Sequence, residues 1–219
     1  MSRAALLVLA ACGSRLEAAP PVKLDAFASD ALCVTKGRIA SAKVTEPTVR
    51  AVATTSTGEG AALTFVFRGD SARTRELASG DARRQLGLKL RAQNGCNLVY
   101  VMWRLDPKPK LEVSVKLNPG MVTHKDCGAD GYTKVKPRHA ESPPVLAAGA
   151  THTLRAEIAG DELTAWIDDA VVWRGTLPET ARALAGPAGL RSDNLAFDLV
   201  EFRAPLAREP RACKHEEGD

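Results

Sequence analysis

The stretch Leu111-Glu-Val-Ser-Val-Lys-Leu117 alternates apolar and polar residues without a break, and no other feature constrains the fold as tightly. Successive residues of a strand point to opposite sides. Leu111, Val113, Val115 and Leu117 must therefore share a buried face, while Glu112, Ser114, Lys116 and then Asn118 look away from it. The same period recurs in Ala62–Phe67, with Leu63, Phe65 and Phe67 together, and in Leu86–Arg91, with Leu86, Leu88 and Leu90 together. Asn97–Leu105 places Val99, Val101, Trp103 and Leu105 on one side. Thr151–Ile158 and Leu163–Ile167 read as a hairpin across Gly160-Asp161, followed by strands at Val171–Arg174 and Phe197–Phe202. Asp106-Pro107, Lys108-Pro109 and Asn118-Pro119-Gly120 mark turns. Helical character is expected only as a turn or two in Pro178–Ala185 and in part of the charged insertion Asp70–Arg84. Short strands separated by turn signals define an all-β chain, a single antiparallel β-sandwich or jelly roll.

The start of the chain carries a different signal. Arg3 precedes Ala4–Ala11, an apolar run of eight residues. A bilayer span needs roughly 20, whereas the core of a secretory leader needs about 7–15. Leu9-Ala10-Ala11-Cys12 resembles the bacterial lipobox. That resemblance implies cleavage before Cys12, acylation of its sulfur (palmitate or a similar chain) and attachment to a lipid bilayer. Gly13, where enteric inner-membrane lipoproteins carry aspartate, implies the outer membrane. The expected division is a signal peptide over 1–11, a tether over 12–25, the sandwich over 26–206 and a tail over 207–219. Of five cysteines, lipidation of Cys12 leaves four, which can pair in three ways. The preferred pairing is Cys96–Cys127 with Cys33–Cys213. A formal net charge of +4, spread along the chain, argues against nucleic acid as a partner and is compatible with an acidic surface or polymer.

The C-terminal half adds a second resemblance. Thr151–Asp169 looks like the paired strands of concanavalin A-like domains, laminin-G-like modules among them. Gly186-Pro-Ala-Gly-Leu-Arg-Ser-Asp-Asn194, leading into Phe197–Phe202, resembles their closing turn and last strand. Asp169 departs from the glycine usual in that family. The resemblance implies a concanavalin A-like jelly roll, a superfamily of lectins, glycan-processing enzymes and protein-binding modules. Function must be argued from a site, because the fold does not determine it.

No catalytic residues are assigned. Retaining glycosidases need two carboxyl groups about 5–5.5 Å apart, and the Glu-x-Asp-x-x-Glu segment of the related glucanases is missing. No nucleophile elbow is present either. Asp168, Asp193 and Asn194 offer oxygen ligands, but too sparsely to assign a metal, and no cofactor is expected. Alternation instead collects Tyr100, Arg104, Glu112, Ser114 and Lys116 on one outward face, with Trp166 as a further candidate. The long segment Asn118–Pro144 adds Lys125, Asp126, Tyr132 and Lys134. Polar groups around an apolar platform suit a glycan. The competing reading covers Tyr100 and Met102 with the loop and makes the charges cross-strand pairs. The resulting expectation is a lipid-anchored envelope protein that binds carbohydrate, peptidoglycan or another envelope polymer without catalysis. The alternatives are a structural lipoprotein with a protein partner of unknown identity and a divergent glycoside hydrolase.

Overall fold

In the computed structural model, residues 21–213 are described. The leader and Cys12 lie outside the described residues. Among the described residues, fifteen strands form two antiparallel sheets packed face to face. One sheet holds, from edge to edge, β1 (Asp25–Phe27), β15 (Leu195–Ala204), β5 (Gly60–Asp70), β11 (Thr151–Ala159), β12 (Glu162–Ile167), β13 (Ala170–Thr176) and β10 (His139–Ala140), with β3 (Lys43–Val44) paired to β15. The other runs β2 (Cys33–Lys36), β4 (Thr48–Val52), β14 (Gly189–Asp193), β6 (Gln85–Leu90), β7 (Leu98–Arg104), β8 (Lys110–Lys116) and β9 (Tyr132–Lys134).

Alternation sets what lies between them. From the seven-stranded sheet come Val49, Leu190, Leu86, Leu88, Val101, Trp103 and Val113, and from the eight-stranded sheet Leu63, Phe65, Leu154, Leu163, Phe197 and Phe202, all in one buried cluster. Phe65 packs edge-on against both Trp103 and Phe197, with centroids 6.0 and 5.8 Å apart, a favoured arrangement for aromatic quadrupoles. The hairpin over Gly160 forms as its sequence requires, in register from Leu154↔Ile167 to Ala159↔Glu162. Pro178–Ala185 yields a 3₁₀ turn at Glu179–Ala183.

Three segments depart from the sequence reading. The insertion 71–84 contains no helix. Its charges leave it no apolar stripe to bury, and it lies as irregular chain over the seven-stranded sheet. The segment 118–144 is more than a loop: it holds a short helix, α1 (His124–Cys127), and strands β9 and β10, one for each sheet. Gly189–Asp193, read as part of a closing turn, is a central strand bonded to β4 and β6.

Two disulfides complete the domain, Cys33–Cys213 and Cys96–Cys127, the pairing the sequence favours. The first closes a separation of 180 residues and fixes the tail to the edge of the seven-stranded sheet. The double variant Cys33→Ser/Cys213→Ser is expected to lose about 3–5 kcal/mol of unfolding free energy, read from its urea midpoint. An unchanged midpoint would show that this bridge does not constrain the unfolded chain.

Candidate functional site

The outward face of the seven-stranded sheet is ordered in rows by its register. One row runs Lys36, Arg50, Arg191, Gly87, Met102 and Glu112 across β2, β4, β14, β6, β7 and β8. A neighbouring row carries Lys89, Tyr100, Ser114 and Lys134, and the next Leu98, Lys116 and Tyr132. On the other side lie Thr48, Asp193, Gln85 and Arg104. Gly87 cannot carry a side chain, since a Cβ would lie 2.1 Å from the Val101 carbonyl oxygen. Above these rows is a cavity of about 580 Å³, within the usual size of a small-ligand site.

Two asparagines hold its walls. Asn194 sits at the end of β14 in a left-handed conformation that asparagine tolerates better than most residues. Its Oδ1 accepts from Arg75 N at 2.7 Å, and its Nδ2 donates to the carbonyls of Arg75 and Arg83 at 2.9 Å each. These bonds fasten the 71–84 insertion to the sheet. Asn118 holds the opposite wall: its Nδ2 donates to the Cys96 and Asp130 carbonyls, and its N–H to Asn97 Oδ1 at 2.8 Å. Cys96–Cys127 anchors the same wall covalently.

Within the cavity, Tyr132 stacks on Tyr100 with centroids 6.0 Å apart and planes 19° from parallel. Arg191 covers Tyr100 at 5.0 Å, and Lys116 Nζ lies 5.0 Å from the Tyr132 ring. Lys116 is fully buried and donates to the Gly128 carbonyl at 2.8 Å, with His124 Nδ1 3.4 Å away. Asp193, also sealed from solvent, accepts from Gln85 Nε2 at 2.7 Å and Arg191 Nε at 2.8 Å. Burial disfavours the charge on Arg191, but the field of Asp193 and its hydrogen bond override that and raise the guanidinium pKa well above normal. Glu112 is pulled the other way. Burial would raise its pKa, yet the Lys110 hydrogen bond and the nearby Arg104, Lys110 and Lys134 charges lower it from its ordinary 4.5.

The structure thus gathers six of the seven ligand candidates, Tyr100, Arg104, Glu112, Ser114, Lys116 and Tyr132, onto one sheet face. Trp166 is the correction. It points outward as its alternation requires, but β12 belongs to the other sheet, where Arg155 covers the indole at 5.0 Å. The covered-face reading also holds in part: Tyr100 and Met102 are buried, and Arg104 pairs with Glu112 at 3.2 Å. Lys125 and Lys134 line the cavity, while Asp126 instead closes a capping box with Thr123. Asp168 lies beside His152 and Thr153, away from Asp193 and Asn194, and no cluster suited to a metal ion occurs among the described residues.

Sequence reasoning missed Arg50, Arg191, Gln85 and the insertion as a wall, and weighed Asp193 only as an oxygen ligand. The signal for β4 and β14 was present: Thr48-Val-Arg-Ala-Val52 and Gly189-Leu-Arg-Ser-Asp193 both alternate. Their inward residues include Ala51 and Ser192, too small to stand out as a hydrophobic stripe.

Neither a protein-family model nor a curated protein sequence matches the chain. Solved structures do match. The carbohydrate binding module CBM66 from Bacillus subtilis aligns over 80% of this chain and 93% of its own, at 10% identity and a TM-score of 0.52. The fold is a concanavalin A-like jelly roll. A tetrameric galectin from the ball sponge Cinachyrella covers 73% of this chain and 99% of its own at 14% identity and a TM-score of 0.45. The Crh5 transglycosylase in complex with NAG covers 87% and 88% at 15% identity and a TM-score of 0.47.

The depressed Glu112 pKa yields a stability prediction. A carboxylate with a lowered folded pKa stabilises above its unfolded value and ceases to do so as pH falls through the folded one. Glu112→Gln should therefore cost ~1 kcal/mol near pH 7, with the difference from wild type vanishing as pH falls below 4.5 and through the folded pKa. A cost constant with pH in urea titrations would show that the ion-pair cluster is energetically silent.

Proposed function

We propose that this protein is a lipid-anchored envelope protein whose cleft binds carbohydrate without catalysis. The observation that carries the reading is the composition of the cleft. An exposed edge of Tyr132, stacked on Tyr100, provides an apolar platform for the C–H face of a sugar ring. Ser114, Thr48 and Gln85 around it provide hydroxyl and amide groups for sugar hydroxyls. A few placed polar groups around an apolar surface are what recognition of a small polar ligand requires. The neighbour from Bacillus subtilis is named as a carbohydrate binding module, and the reading is consistent with that use of the fold.

The same residues favour binding over hydrolysis. A glycosidase acid needs a carboxyl group whose pKa is raised so that it holds a proton at working pH. Glu112 is shifted in the opposite direction by three cations. Asp193 is sealed beneath Arg191 and Gln85. Anchoring rests on the Cys12 lipobox alone, and intact-mass measurement of the mature protein would show the acyl chains if it is correct.

Titration of the full chain in detergent against a glycan array that includes peptidoglycan fragments tests the binding reading. Tyr132→Ala is expected to weaken any specific glycan by about tenfold, the loss of one stacking platform of roughly 1–1.5 kcal/mol. Retention of full affinity in that variant would remove the site from this cleft. A silent array from folded protein would direct attention to protein partners.

A further inference from the structure

The chain enters the domain across the sheet that does not carry the cleft. Leu154, Ala156 and Ile158 of β11 point into the core, so Arg155 and Glu157 between them point out of the eight-stranded sheet. Glu157 stands beside Gly60 of β5, and in the next row Arg155 and Arg203 flank Ala62. Over these small residues lies Val22–Leu24. The Val22 N–H donates to Glu157 Oε2 at 3.3 Å, and Arg203 Nη2 donates to the Leu24 carbonyl at 2.9 Å. A Cβ on Gly60 would come within 3.4 Å of Leu24 Cδ2, so glycine there lets the chain lie close against the sheet. After this crossing the chain joins the sheet edge as β1, paired with β15.

Entry and cleft therefore occupy opposite outer faces of the sandwich. The two faces also differ in character. The outward residues of the eight-stranded sheet are not sealed as those of the cleft floor are: Thr64, Thr153, Arg155, Thr164 and Trp166 are half-buried. They are tied down within the face itself, Thr64 to Thr153 at 2.9 Å and Arg68 to Asp198 at 2.6 Å. Trp103 and Trp173 are buried in the core, whereas Trp166 keeps part of its indole open beneath Arg155. A polar face with a partly open tryptophan suits the headgroup level of a membrane, where an indole finds an apolar and a wet side together.

Cys12 precedes Val22 by ten residues, and a chain of that length reaches at most about 33–36 Å. To bring the cleft against lipid, those residues would have to pass round both sheets, which lie about 10 Å apart. They would also have to clear the side chains and the walls 71–84 and 118–131 beyond, with little length left to meet a bilayer. Resting on the lipid-anchored reading above, we propose that the outward face of the eight-stranded sheet is turned to the bilayer and the cleft opens away from it. The saccharide taken by the cleft is then a glycan held outside the anchoring membrane, and not the headgroup of a lipid within it.

The test is energy transfer from a thiol-bound dye on the mature protein to a headgroup-labelled acceptor lipid in phosphatidylcholine vesicles. Two single variants carry the dye, labelled without reductant so that the disulfides persist. Arg174→Cys lies on the outward row of Glu157 and Thr164 and is exposed. Ala78→Cys is exposed on the cleft wall. Transfer is expected to be at least about twofold more efficient from position 174, because the two sheets alone separate the dyes by about 10 Å. A 20-residue Gly/Ser insert after Gly13 should bring the two efficiencies together, since the tether then spans the sandwich. Equal transfer without the insert, or stronger transfer from position 78, would overturn the orientation and leave the anchoring reading standing. A difference that survives the insert would overturn the tether as its cause. Folded protein that does not float with the vesicles would overturn the anchoring reading, and this inference with it, without touching the carbohydrate reading of the cleft.

Discussion

A sheet covered on both faces must satisfy every polar group it carries, and the seven-stranded sheet is covered on both. Its inner side meets the opposing sheet through Trp103, Leu88 and Val101. Its outer side is roofed by two walls, so that Arg50, Lys89, Lys116, Arg191 and Asp193 all lie buried. Burying such groups is favourable only where hydrogen bonds and opposite charges compensate. Asp193 performs that role for Arg191 and Gln85, and the Gly128 carbonyl for Lys116. The outward face is thereby stiffened as a polar network, while the inward face is stiffened by packing.

The walls depend on the sheet in turn. Neither 71–84 nor 118–131 has a hydrophobic stripe able to bury itself, and each is held by an asparagine inserted among backbone groups, with Asn97 and Lys116 bonding the backbone of the second as well. Asn194 bonds three backbone atoms of the first. Asn118 does the equivalent at the second, where Cys96–Cys127 adds a covalent tie. Asn194 follows directly on β14 and Asn118 lies two residues beyond β8, both strands of the cleft floor. A change of register in either strand would therefore move a wall as well as a row of side chains.

Most of the fold was legible in the sequence because strands with large inward residues announce themselves by period two. Leu111–Leu117, Leu86–Arg91 and Asn97–Leu105 need no structure to orient them, and they sufficed to place Tyr100, Arg104, Glu112, Ser114 and Lys116 on one face. What alternation cannot convey is which strands are neighbours. Trp166 has the right orientation on the wrong sheet for that reason. Nor does it reveal strands whose inward residues are small, such as β4 and β14, and these carry Arg50, Arg191 and Asp193. The row of basic residues on the outward face was invisible for the same reason. Along the chain Lys36, Arg50 and Arg191 are scattered, and only antiparallel pairing of β2, β4 and β14 brings them into line.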